Sequence, residues 1–214
     1  MRLKETMMSN DNEKAWQHYI RALALPAGDS RARSTKEIAS VRRGLTAGTE
    51  VYAYPFVLPH VPADASRQTE QALLRGASLV AEFKDSIPAF TPSADSDGRY
   101  PRRSFGQWAG MVAHNSRELL DPNSPGMIGN RLAYIHTQSL DEAAMTIRRI
   151  LLVASRGSER APAIDYVDLV ATLVYWGRGL TQASRERRLR IIRDFYRPQR
   201  QEPAGPTTTS QAQN

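Results

Sequence analysis

The chain has 214 residues, 41% of them hydrophobic, with a net charge of +7 and no cysteine. This is enough chain to bury a sizeable core in one large domain or two small ones. The missing cysteines exclude disulfides, thiol nucleophiles, redox switches and zinc knuckles, and no apolar run approaches the ~20 residues that cross a bilayer. Residues 1–12 are polar and uncapped, have no apolar core of a secretory signal, and read as a disordered start, which makes a cytoplasmic location the default.

A first helix is expected over 13–25, where Trp16, Tyr19, Ile20, Leu23 and Ala24 recur at helical spacing before Pro26. A second begins at Ser34 or Thr35, with Thr35 as the expected cap, carries Ile38, Val41 and Leu45, and ends at Gly48. The Pro-broken run YAYPFVLPHVPAD reads as a packed loop with a helical turn at Phe56 to Leu58. A third helix follows from Ala65 or Ser66 to about Asp85. Its inner positions are Ala72, Leu73, Ala77, Val80, Ala81 and Phe83, with Arg67 and Arg75 outside. Residues 88–104, with Pro88, Pro92, Gly98 and Pro101, form the clearest loop and the expected domain boundary.

Beyond it, Ser104 caps a fourth helix through Trp108 and Val112, which stops before the DPNSPG turn. Met127 to His136 brings Ile128, Leu132 and Ile135 inward, and Ser139 with Glu142 has the form of a capping box opening a long helix. The last structured stretch, Ile164 to Arg197, opens with Leu169, Val170, Leu173, Val174 and Trp176 on one helical side. In its second half Leu189, Ile192 and Phe195 or Tyr196 continue the apolar period, while Arg187, Arg190, Arg193 and Arg197 follow another face. Arg178 to Arg200 contains eight arginines against Glu186 and Asp194. The polar tail 199–214 reads as disordered. No stretch alternates with period two long enough to need a sheet. The expected fold is all-α: an N-terminal helical half, 13–87, packed on a C-terminal four-helix bundle, 105–198.

Catalytic signatures are missing. The four histidines are scattered, and no phosphate-binding glycine loop or nucleophile elbow occurs. Acidic residues such as Asp141, Glu142, Asp165 and Asp168 stand in helix first turns, where the macrodipole accounts for them. No enzyme, cofactor or metal site is expected. The positive signal is arginine, which makes up 25 of the 29 basic residues. A planar guanidinium takes phosphate bidentately and stacks on bases. Arg42, Arg43, Arg67, Arg75, Arg102, Arg103, Arg131, Arg148, Arg149, Arg178, Arg187, Arg190 and Arg193 are therefore the candidate nucleic-acid contacts, disposed beside apolar stripes as a strand-tracking face would need. Two rivals stand beside this: a stand-alone helical DNA-binding regulator with the Arg187 to Arg197 helix in a major groove, and a structural adaptor whose arginines reflect a GC-rich genome.

The order VRRGL, PFVLPHV, QALLRG, RRSFGQWA, NRLAYIHTQSLDEAAMTIRRIL and IDYVDLVATLVYWGRG closing on RDFYR resembles the small subunit (CasB family) of the type I-E CRISPR surveillance complex Cascade. The resemblance implies a non-catalytic helical subunit of an antiviral complex, present as two copies stacked head to tail beside the backbone and large subunits. It also implies basic faces beside guide RNA and target strand that help hold the displaced non-target strand of the R-loop. By position it assigns such contacts to Arg42, Arg43, Arg131, Arg149 and Arg178, with Arg75 aligned in QALLR. Where the resemblance leads one to expect further basic residues, this chain has His136, Thr137 and Leu140, so the groove is expected either to be weaker there or to be supplied by Arg102 and Arg103 instead.

Overall fold

The computed structural model describes residues 15–92, 102–118, 121, 123–157, 160–177 and 181–197. The tails expected to be disordered, the middle of the 88–104 loop and Arg178 lie outside the described residues. Helices dominate: α1 (15–23), α2 (Thr35–Val41), α3 (Tyr54–Val57), α4 (Arg67–Phe83), α5 (Phe105–Asn115), α6 (Met127–Ala133), α7 (Leu140–Arg156), α8 (Tyr166–Gly177) and α9 (Gln182–Phe195). Short 3-10 turns at Arg42–Leu45, Glu50–Tyr52, Leu58–His60 and Ile135–Thr137 carry the chain between them. Among the described residues the only β pairing is a one-residue parallel bridge, Ala89 to Ile164, so the fold is all-α as expected.

Helix starts follow the local chemistry of the chain. Ser34, Ser66, Ser104, Ser139 and Thr181 each sit in extended backbone and accept the amide three residues on, at 3.2–3.4 Å. The cap of α2 is thus Ser34 rather than Thr35, and the helix tightens into a 3-10 turn at Arg42 instead of running on to Gly48. Both Ser104 with Gln107 and Ser139 with Glu142 close complete capping boxes. Asp165 caps α8 by accepting from the amides of Val167 and Asp168.

Helix α4 is the central element. Every residue from Ala72 to Ala81 is buried, because α2 and the Arg42–Leu45 turn cover one side and α7 and α8 the others. The α4–α8 crossing is close enough that a Cβ on Gly76 would sit 2.9 Å from the Val170 methyls. At the second tight crossing, α5 on α9, a Cβ on Gly106 would overlap the Ile191 carbonyl oxygen. One apolar core runs from Trp16 in α1 to Phe195 in α9. The segment after α4 is pinned to the approach of α8: Phe90 N–H donates to the Ile164 carbonyl (2.7 Å), Ile164 N–H to that of Pro88 (2.9 Å), and the Tyr166 hydroxyl to that of Ile87 (2.9 Å).

Candidate nucleic-acid interface

The candidate arginines divide into those the fold consumes and those it presents. Arg75, expected outside, has no exposed surface at all. Its Nη1 donates to the Gly44 carbonyl at 2.6 Å and to Glu50 Oε2 at 2.7 Å, and its Nε to Asp141 Oδ1 at 2.8 Å. It therefore ties the 3-10 turns and α7 to α4. A side chain with no exposed surface cannot reach a phosphate, so Arg75 leaves the candidate set.

The expected basic stripe on α9 is also corrected. The buried face of α9 is Ser184, Ile191, Asp194 and Phe195, whereas Leu189 is 41% exposed. Arg187 is turned inward, where its Nη2 pairs with Asp168 and its Nε donates to Thr172 Oγ1 at 3.3 Å. Arg190 pairs through Nε with Asp194 Oδ2 at 3.0 Å, and that same carboxylate accepts the Ser104 hydroxyl at 2.7 Å. Arg188, missed in the sequence, lies over the Trp176 ring (4.8 Å) and donates to the Trp176 carbonyl. Arg193 remains exposed. Asp141 and Asp168 thus do more than complement a helix dipole: one receives Arg75, the other Arg187 and the Phe105 amide.

The C-terminal end of α4 is where sequence-distant cations meet. Arg42, from the 3-10 turn, is exposed and donates its Nε to the Ala81 carbonyl at 2.9 Å. Arg148, from α7, forks Glu82: Nε lies 3.0 and 2.8 Å from the two carboxylate oxygens and Nη2 2.5 Å from Oε1. The fork holds the Arg148 guanidinium above the usual arginine range. The next residue, Arg149, is exposed. Thus 42 and 148, a hundred positions apart in sequence, attach to neighbouring residues of one helix end, where the macrodipole also favours positive charge.

A cleft of about 1200 Å³ opens on from this end of α4, between α1, residues 84–92 and α8. Arg102 and Arg187 from the candidate set line it, together with Arg21, Lys84 and Arg160, which no sequence motif singles out. Asp85, Asp165 and Asp168 are also on its wall, and burial raises the Asp165 carboxyl above its ordinary range. Arg103 sits beside it, donating to the Ala163 carbonyl (2.8 Å) and lying over the Phe90 ring (4.3 Å). On another part of the surface Arg43 covers the exposed Tyr52 ring at 4.5 Å, and Arg67 is exposed at the start of α4. Arg131 is half-buried in the last turn of α6, where its Nη1 lies buried without a hydrogen bond. Among the described residues no group of three or more acidic or histidine side chains is arranged to hold a metal ion.

Comparison with known proteins gives a consistent result. No curated protein sequence matches the chain. A structure described as a CRISPR-associated protein of the Cse2 family from Thermus thermophilus superposes with a TM-score of 0.58 at 18% identity, covering 86% of this chain and 97% of that one. Two structures described as CRISPR RNA-guided surveillance complexes, one of them pre-nicking, contain chains that match at TM-scores of 0.55 and 0.52. Both are 21% identical, covering 86% and 88% of this chain and 94% of theirs. The sequence profile of the CRISPR-associated protein Cse2 family matches residues 37–196, well over half of the chain. With that span and an all-helical fold shared along its length, the chain belongs to the Cse2 family of CRISPR-associated proteins.

Proposed function

We propose that this chain is a non-catalytic subunit of an RNA-guided CRISPR surveillance complex, in which its basic faces lie along nucleic-acid backbone. Its partners are then guide RNA, the target and displaced DNA strands, a second copy of itself, and the backbone and large subunits of the complex, in the cytoplasm. Family membership supports the assembly. The observation that supports the contact surface is that exposed Arg42 and half-buried Arg148, from separate elements, both attach to one end of α4, with exposed Arg149 next to Arg148 in the chain. Such side chains grip phosphate without reading bases, which suits a strand whose sequence varies. Exchanging a duplex for an RNA–DNA hybrid and a free strand is nearly balanced in free energy, so a few phosphate contacts decide whether the open state persists.

The regulator reading fares worse. Arg187, which would have to enter a major groove, is turned inward onto Asp168, which leaves that task to Arg193 and to Arg190, 49% exposed and paired with Asp194.

The test is charge reversal at Arg42 and Arg149 in the reconstituted complex, with the displaced strand followed by nuclease protection over a salt series. Both variants are expected to assemble and keep parental helicity while losing protection, with a shallower salt dependence. Parental protection at moderate salt in both variants would remove these residues from the interface. Strong preference of the isolated chain for one duplex sequence would favour a regulator instead.

A further inference from the structure

Two ion pairs join α4 to α7, and they stand in the same register with reversed polarity. Arg75 on α4 meets Asp141 on α7, and seven residues further along each helix Glu82 on α4 meets Arg148 on α7. Their surroundings differ. Arg75 is wholly enclosed and also holds Glu50, whereas the Arg148 and Glu82 side chains are 32% and 25% exposed. In the first bridge the Arg75 end is out of reach of solvent and ligands, although Asp141 is 62% exposed. The second is open to solvent at both ends. Because α4 and α7 are also joined through the buried Arg75, the open pair adds little to the fold, as partly solvated ion pairs generally do.

A guanidinium accepts carboxylate and phosphate through the same pair of parallel N–H donors. We propose that Glu82 is an internal stand-in for phosphate: it occupies the Arg148 fork when no strand is present and must release it for a backbone phosphate to dock on Arg148. The occupant is the phosphodiester backbone of a single-stranded polynucleotide, so this inference rests on the function proposed above. Glu82 is then an affinity-setting residue. It holds down binding by the lone subunit, so that strand capture depends on several contacts made at once in the assembled complex.

The experiment uses the full chain with oligo(dT) as probe, and in parallel the reconstituted complex with its displaced strand. Binding is measured by fluorescence anisotropy over a salt series for the parent, Glu82→Gln, Arg148→Ala and the double variant. E82Q is expected to bind oligo(dT) about three- to tenfold more tightly, with a log–log salt slope steeper by about 0.7, the value for one more phosphate contact on a single strand. The double variant should bind like Arg148→Ala, because the gain passes through the freed fork. If E82Q binds with parental affinity and slope, or if the double variant keeps the whole gain as a general charge effect would, the stand-in role is refuted. The two proposals fail separately. A parent that binds no polynucleotide in a salt-dependent manner overturns the function itself. A parent that binds, but does not respond to Glu82, overturns only this inference.

Discussion

Replacing Arg75 separates a brace from a ligand contact more sharply than any other change in the chain. In Arg75→Met the Glu50 carboxylate, 6% exposed, loses the cation that neutralises it, and the Gly44 carbonyl loses its donor. Asp141 is 62% exposed and simply turns to water. Breaking a buried pair by removing one partner costs about 3–5 kcal/mol. For a domain of this size each kcal/mol lowers Tm by roughly 2–4 °C, so a fall of about 6–20 °C is expected in thermal unfolding followed by circular dichroism. Removing both charges, as in R75M with Glu50→Leu, takes away the orphaned carboxylate and should restore most of the loss, since apolar replacement of a buried pair is often neutral. Oligo(dT) affinity at a temperature where all variants are folded should match the parent. An R75M that melts within about 1 °C of the parent and binds strand weakly would refute the reasoning and return Arg75 to the interface.

Three further outcomes follow from the packing. Gly106→Ala forces α5 away from the Ile191 carbonyl on α9, a backbone contact that cannot swing aside, and should cost at least the ~1–3 kcal/mol of an overpacked core, read as a lower urea midpoint. Tyr166→Phe leaves the Ile87 carbonyl without its hydroxyl donor and should cost about 1–3 kcal/mol in the same assay. His60 is stacked on Tyr19 at 4.3 Å, and burial, then the nearby Arg33, hold its imidazole below the usual value of 6.5 against the opposing pull of Glu37. The unfolded chain therefore takes up this proton first. The contribution is complete above about pH 6.5 and is lost as pH falls through the lower folded value, so Tm should drop on acidification more steeply in the parent than in His60→Gln. Equal slopes would discount His60.

The helices were legible because apolar period and cap chemistry agree at the same places. Ser104 and Ser139 announce α5 and α7 by a hydroxyl three residues before a Gln or Glu, and the structure forms both boxes. Arg75 was misread because charge was taken as a sign of exposure. Its neighbours from Ala72 to Ala81 are, apart from Ser78, uncharged apolar residues or glycine on every side of α4, which leaves that position no solvent to face. Its partner Glu50 opens a short 3-10 turn just before the Pro-broken run, where nothing local marks it. On α9 the error came from polar residues that are buried: Ser184 and Asp194 lie inward beside Ile191, moving the buried face by about 100°, one helical residue, from a reading based on Leu189 and Ile192. Only the tertiary bond from Ser104 to Asp194 explains that choice.

The same distinction bears on whether the arginine excess reflects function or genome composition. A compositional bias would scatter guanidinium groups without regard to what they meet. Here Arg75, Arg187 and Arg190 have carboxylates whose own burial depends on them. Arg42 and Arg148 instead converge on adjacent residues of a helix end. A fold that needed only helix braces would have no reason to keep Arg149 and Arg42 at the surface beside a pair already joined. Concentrating positive charge costs stability through self-repulsion unless an anion completes it. Glu82 supplies a carboxylate that neutralises the Arg148 guanidinium, and the Ala81 carbonyl takes one donor of Arg42. On the function proposed above, the donors left over at this end of α4 are the ones a phosphate would take.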